Sequence, residues 1–197
     1  MTSEETPPPP GWRTLRFWEE LWVYMWAAAL VGTWWELLLS IVLTSLTGDH
    51  AWWRPVGPGS ILHFAEPYGL GAAAVILVVI PLQRRYRWGP PRVFLVSGIL
   101  AAMVELTSAL LLIAVLGSNP FWDFSSYPAD LKGMTSLASV VVFGLFATPF
   151  VFTIHPATSP LLRRIPPWRM AWLCVLLLAF YLVALAVKVR ALGLGPS

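Results

Sequence analysis

Five apolar segments, separated by short stretches rich in Pro, Gly and Arg, constrain this chain more than any motif in it. They cover about residues 21–46, 68–82, 92–116, 134–154 and 170–189. A helix rises about 1.5 Å per residue, so about 20 apolar residues are needed to cross a hydrocarbon core of about 30 Å. Four of the segments reach that length. The stretch at 68–82 predicts a helix of only about 22 Å. The loop before it, residues 54–67, is rich in helix breakers. Irregular backbone at membrane depth is tolerated where it lines a cavity or is buried in protein, and interrupted spans point to substrate sites. The expectation is that residues 57–67 fold back toward the bundle; an ordinary outer loop is the alternative.

Composition agrees with this reading. The chain is 57% hydrophobic and 12% charged, with twelve Trp and ten Phe, against about 25% charged residues in soluble domains. The fold class is therefore all-α: a polytopic membrane helix bundle of about five transmembrane helices. One transmembrane domain is expected over residues 12–197, behind a disordered Pro-rich tail at 1–11. That tail is acidic and holds four consecutive prolines, unlike a cleaved basic–apolar leader. The net charge of +3 is small and implies no nucleic-acid partner. Membrane lipids are the expected surroundings, with a homo-oligomer or other membrane subunits as further partners. The single cysteine, Cys174, can form no intrachain disulfide.

Basic residues set the expected orientation. With the N-terminus in the cytoplasm, Arg13, Arg16, Arg84, Arg85, Arg87, Arg92, Arg163, Arg164 and Arg169 fall inside. Arg54, Lys132, Lys188 and Arg190 fall outside. Nine against four obeys the positive-inside rule, although Lys188 and Arg190 count against the outer C-terminus that five spans require. The polar stretch at 121–133 and the Gly/Pro loop then lie on the outer face.

Two carboxylates sit inside apolar spans: Glu36 in the first and Glu105 in the third. A carboxylate at the bilayer centre costs about 2.5–3.5 kcal/mol on insertion scales, so each must face the interior and find a partner. Gly32 lies one turn from Glu36 and Gly98 two turns from Glu105, at positions where helices can approach closely. The two glutamates are expected to approach one another or to share a partner. A helix-to-helix clamp and a functional site are both consistent with that. Ser136, Val140, Gly144 and Thr148 form a small-residue stripe that reads as packing. His155, before Pro156, reads as a hydrogen-bonding group at a helix end. His50, His63, Asp49, Glu66, Asp123 and Asp130 gather on the outer side without metal-ligand spacing, so no metal and no cofactor is expected.

The chain lacks a Gly-rich loop ending in Lys-Ser or Lys-Thr, which excludes direct ATP binding of the P-loop kind. It shows no G-x-S-x-G, no C-x-x-C and no visible internal repeat. The inner loops, 83–91 and 156–168, read as short and basic, with no helix suited to couple to an ATPase.

The block Trp122-Asp123-Phe124-Ser125-x-x-Pro128-x-Asp130-Leu131-x-Gly133 resembles the outer-loop signature of a family of bacterial multi-pass proteins, ABC-transporter type IV (CmpB-like). Gly32 and Glu36 are similar to its G-x-x-x-E, and Gly57-Pro58 to its G-P pair. Residues 67–72 resemble its P-x-Y-G-x-G-A, and Glu105, Ser108 and Leu111 its E-x-x-T/S-x-x-L. Phe143-Gly144 and His155-Pro156 match its later bulky-Gly and His-Pro pairs. Asp130 stands where the family has Asn, and Met134 where it has Arg. The resemblance implies a transporter-like or permease-like protein of the bacterial plasma (inner) membrane. Its intramembrane carboxylate site would open to the outer face. The candidate substrate-binding residues are Glu36, Glu105, Tyr68, Trp122, Asp123, Asp130, Arg54 and His155. Two other classes remain open: an intramembrane enzyme using the same carboxylates as acid and base on a lipid or isoprenoid, and a non-catalytic accessory subunit.

Overall fold

The computed structural model describes residues 11–47, 64–119, 122–125, 127 and 129–191. Residues 1–10 of the expected tail, the Gly57-Pro58 pair, Arg54, Asp49, His50, His63 and Pro128 lie outside the described residues. The described chain runs as α1 (Leu15–Thr47), α2 (Glu66–Ala74), α3 (Ile80–Tyr86), α4 (Pro90–Leu116), α5 (Leu137–Pro149), α6 (His155–Arg164) and α7 (Pro167–Ala191). A π-helical turn at Val75–Val79 joins α2 to α3, and a second at Phe150–Ile154 joins α5 to α6. Each pair forms one continuous span. Among the described residues, five helices are long and apolar enough to cross a membrane. The chain is a multi-pass membrane protein.

The second span is longer than its apolar run. It covers Glu66–Tyr86, 21 residues, which at about 1.5 Å per residue is enough to cross. The expected shortness is corrected, and with it the main motive for a re-entrant loop. Only the last residues of that loop are described: Phe64 is fully buried, and the Ala65 N–H donates to Thr33 Oγ1 at 3.0 Å. The fourth span likewise continues to Arg164, so 156–164 is helix and not an inner loop.

Local chemistry sets the joints. Gly89 precedes Pro90 and Pro91 at the start of α4, where prolines suit a helix's first turn. Gly117, at φ +80°, ends α4 in the left-handed conformation that glycine accepts most readily. Ser136 caps α5, its hydroxyl accepting the Ser139 N–H at 3.3 Å. Pro81 and Pro156 each lack an N–H and crowd the carbonyl four residues earlier. At both places the residue before the proline, Ile80 or His155, donates instead to the carbonyl five residues back. The wider π turn carries the helix past the proline.

Close packing joins α4 to α5. A side chain at Gly98 would collide with the Val140 carbonyl, and one at Gly144 would come within 2.8 Å of the Phe94 carbonyl. The predicted small-residue stripe is thus the α4–α5 contact face. An apolar core of Leu21, Tyr24, Val79, Val93 and Val151 joins α1, the π turns and α4. On the other side of α1, Trp26 and Phe64 pack against Phe180 and Tyr181 of α7. Apart from that seam α7 is largely exposed, as are many large apolar side chains around the bundle, consistent with a lipid-facing surface.

Candidate functional site

Gly32 leaves room beside α1 for the ring of Tyr68, which would collide with any side chain there. That ring also packs on Phe143 of α5, centroid to centroid 5.0 Å. One turn above Gly32, Glu36 hydrogen-bonds the Tyr68 phenol, and Glu105 lies within electrostatic reach of the same group. Glu105 is buried in α4 and accepts the Thr135 hydroxyl at 2.7 Å. Ser139, in the first turn of α5, also hydrogen-bonds this carboxyl. Three spans therefore bring the two membrane carboxylates to one tyrosine, and the fourth closes the cluster with hydroxyls.

Tyr127 comes within electrostatic reach of the cluster from the polar loop. Burial, and then the nearby Glu36 carboxylate, hold its phenol above the ordinary value; it stays protonated and able to donate. Tyr127, Thr135 and Ser139 are the components the sequence reading missed. An aromatic in an interfacial loop reads as an anchoring residue, and one Thr just outside a helix carries no periodic signal.

The rest of the loop is built on itself. The Trp122 indole donates to the Met134 carbonyl at 2.9 Å, and the Phe124 N–H to the Gly133 carbonyl at 2.9 Å. Asp123 accepts the Ser125 N–H, and Asp130 accepts the Gly133 N–H, each at 2.9 Å. Gly133 has φ +71°, and a side chain there would lie 2.5 Å from Asp123 Oδ1. Trp122, Asp123 and Asp130 thus shape the loop. Position 130 needs only an acceptor oxygen, which Asn would supply as well as Asp.

His155 does not join this cluster. It lies inside the continuous fourth span, near the arginine-rich end, with its ring beside Tyr24 and Phe150. Its Nδ1 is buried without a hydrogen-bond partner. Along α5 and its continuation, Ser139 and His155 are separated by a rise of about 24 Å. The expected position of His155 at a helix end is corrected: the span continues through it to Arg164.

No curated protein and no solved structure matches the chain. A family model does match, over residues 60–189, about two thirds of the chain. The matched part holds Tyr68, Glu105, the Trp122–Gly133 signature and His155-Pro156; Gly32 and Glu36 lie before it. By that match the chain belongs to the family described as Putative ABC-transporter type IV.

Proposed function

We propose that the chain is a permease-like membrane subunit of the bacterial plasma membrane, with Glu36, Tyr68 and Glu105 as its substrate- or proton-handling site. The observation that carries this reading is the single phenol reached by two intramembrane carboxylates from different helices. Apart from the chemistry of a site, such a cluster is an expensive way to hold helices together. The sequence has no Lys or Arg between residues 17 and 53 or between 93 and 131. Neutralisation therefore falls to protons, hydroxyls or a bound cation. Two carboxyls near one phenol in a low-dielectric interior do not ionise independently. Loading one with a proton or a cationic group changes the charge presented to the other, which is the coupling a carrier requires. Tyr127 extends the cluster to the outer loop, and the Trp122–Gly133 turn holds Tyr127 in place. Arg54 belongs to the same proposal as a charged residue on the outer side. With no nucleotide-binding motif of its own, the chain would take any ATP-derived work from a separate partner subunit.

The test uses proteoliposomes carrying the whole chain, an imposed pH gradient, and a panel of organic cations, carboxylates and sugars. The wild-type protein is expected to move protons or one panel member. Glu105→Gln and Glu36→Gln should remove that flux while leaving the folded state intact by thermal unfolding. Flux identical in wild type and both variants overturns the assignment.

A further inference from the structure

The arginine-rich end of the bundle holds a second polar site. A pocket of about 100 Å³ opens there between α1, the second span and the fourth, and Glu20, Arg84, His155, Ser159 and Arg163 supply its polar lining. The two arginines occupy equivalent places in a short repeat that hydropathy conceals: residues 81–85 read Pro-Leu-Gln-Arg-Arg, and residues 160–164 read Pro-Leu-Leu-Arg-Arg. Each pentapeptide lies in the helix that continues its span beyond a π turn, α3 in the second span and α6 in the fourth. The repeat's fourth residue faces the same pocket from both spans.

Charges and hydrogen bonds around the pocket do not close among themselves. Glu20 lies 3.5 Å from Arg16 and 3.9 Å from Arg163. Arg16 also lies 3.7 Å from Glu19 and donates to the Leu162 and Ile165 carbonyls. Arg163 reaches the Ser159 hydroxyl at 2.8 Å. Arg84 forms no ion pair among the described residues, which leaves three guanidinium groups here for two carboxylates. Buried Arg16 Nη1, Arg163 Nε, His155 Nδ1 and the acceptor Glu20 Oε1 have no hydrogen-bond partner, Arg16 Nη1 and Arg163 Nε standing only at ion-pair distance from Glu19 and Glu20, and Arg84 and Arg163 both act electrostatically on His155. Water would offer acceptor oxygens but no compensating charge. An oxyanion offers both, in the planar geometry guanidinium prefers.

We propose that this chamber binds a small oxyanion, a phosphate or carboxylate group, between Arg84 and Arg163. The same chemistry is presented by a free anion and by the headgroup of an anionic lipid. The inference stands on the chamber's own geometry and not on the transport reading.

The whole chain in a neutral detergent is titrated with inorganic phosphate, and separately with short-chain phosphatidylglycerol, following the unfolding temperature. A saturable rise is expected with at least one probe. Arg84→Gln should weaken it roughly tenfold or more, as loss of a charged hydrogen-bond partner does. Arg85→Gln should leave it unchanged, because that side chain, exposed like Arg84, does not line the pocket. Saturation by phosphate assigns a free anion, and saturation by the lipid alone assigns a headgroup. Arg84 is the test position because Arg163 also bridges Glu20 and Ser159, where substitution can harm folding. No saturable shift with either probe, or equal weakening by Arg84→Gln and Arg85→Gln, overturns the proposal.

Discussion

At Gly32 a missing side chain decides where a phenol can go. The Tyr68 ring occupies the space a Cβ would fill, and only from there does its hydroxyl meet Glu36. Gly32→Val should therefore displace the ring and cost about 1–3 kcal/mol, as overpacking does. Gly11→Val, at a glycine with nothing nearby, should leave unfolding unchanged. Tyr68→Phe keeps the ring against Phe143 and loses only the hydroxyl. Hydrogen bonds between membrane helices contribute about 0.6 to 1.7 kcal/mol, so a modest fall in unfolding temperature is expected in detergent. A loss as large as that of Gly32→Val would mean that the phenol anchors the bundle more than it serves a site. Glu36 and Glu105 were legible in the sequence because their burial in lipid is costly. Their shared partner could be listed as a candidate from the family pattern, but its place between them depends on how α2 crosses α1.

Among the elements, the two π turns explain why span boundaries were misread while the spans themselves were not. Hydropathy located all five helices, but Pro81 and Pro156 look like helix stops, and the arginines beyond look like loop. A turn widened by one residue absorbs each proline. Arginine stems can then cover apolar surface while their heads reach the polar boundary. Pro81→Ala restores an N–H able to bond the Leu77 carbonyl, which favours regular α-helix over the π turn. The added residue of register would rotate Arg84 by about 100°. Amide exchange across Val75–Tyr86 should slow, and Arg84 should leave the chamber, weakening phosphate binding as Arg84→Gln does. Unaltered exchange would mean that tertiary packing, not the proline, imposes the π turn. The α4–α5 seam makes the contrasting case. Gly98 and Gly144 were readable as contact positions because small residues at helical spacing have few other uses inside a membrane.

Across the whole molecule, the carboxylate cluster and the arginine chamber stand near opposite ends of the bundle. Glu36 and Glu20 on α1 mark them, about 24 Å apart along the axis. Val79, Val93 and Val151 pack into the apolar core near the chamber, while the second polar cluster meets the Trp122–Gly133 loop. Packing strengthens the orientation argument beyond a count of charges. Arg16 bonds the Ile165 carbonyl at 3.0 Å, and Arg84 and Arg163 line one pocket, so residues from three spans form a basic collar at a single end. The positive-inside rule weighs such short flanking stretches most heavily, and it expects this collar in the cytoplasm. Lys188 and Arg190 follow a long final span and form no second collar comparable in number. Alkaline phosphatase joined after Gly89 should be inactive and after Ser118 active, with a fluorescent cytoplasmic reporter giving the reverse. Activity after Gly89 would invert the molecule in the membrane. It would move the oxyanion chamber to the outer side and the carboxylate cluster inward while leaving the geometry of both intact, so the orientation can fail without either site failing with it.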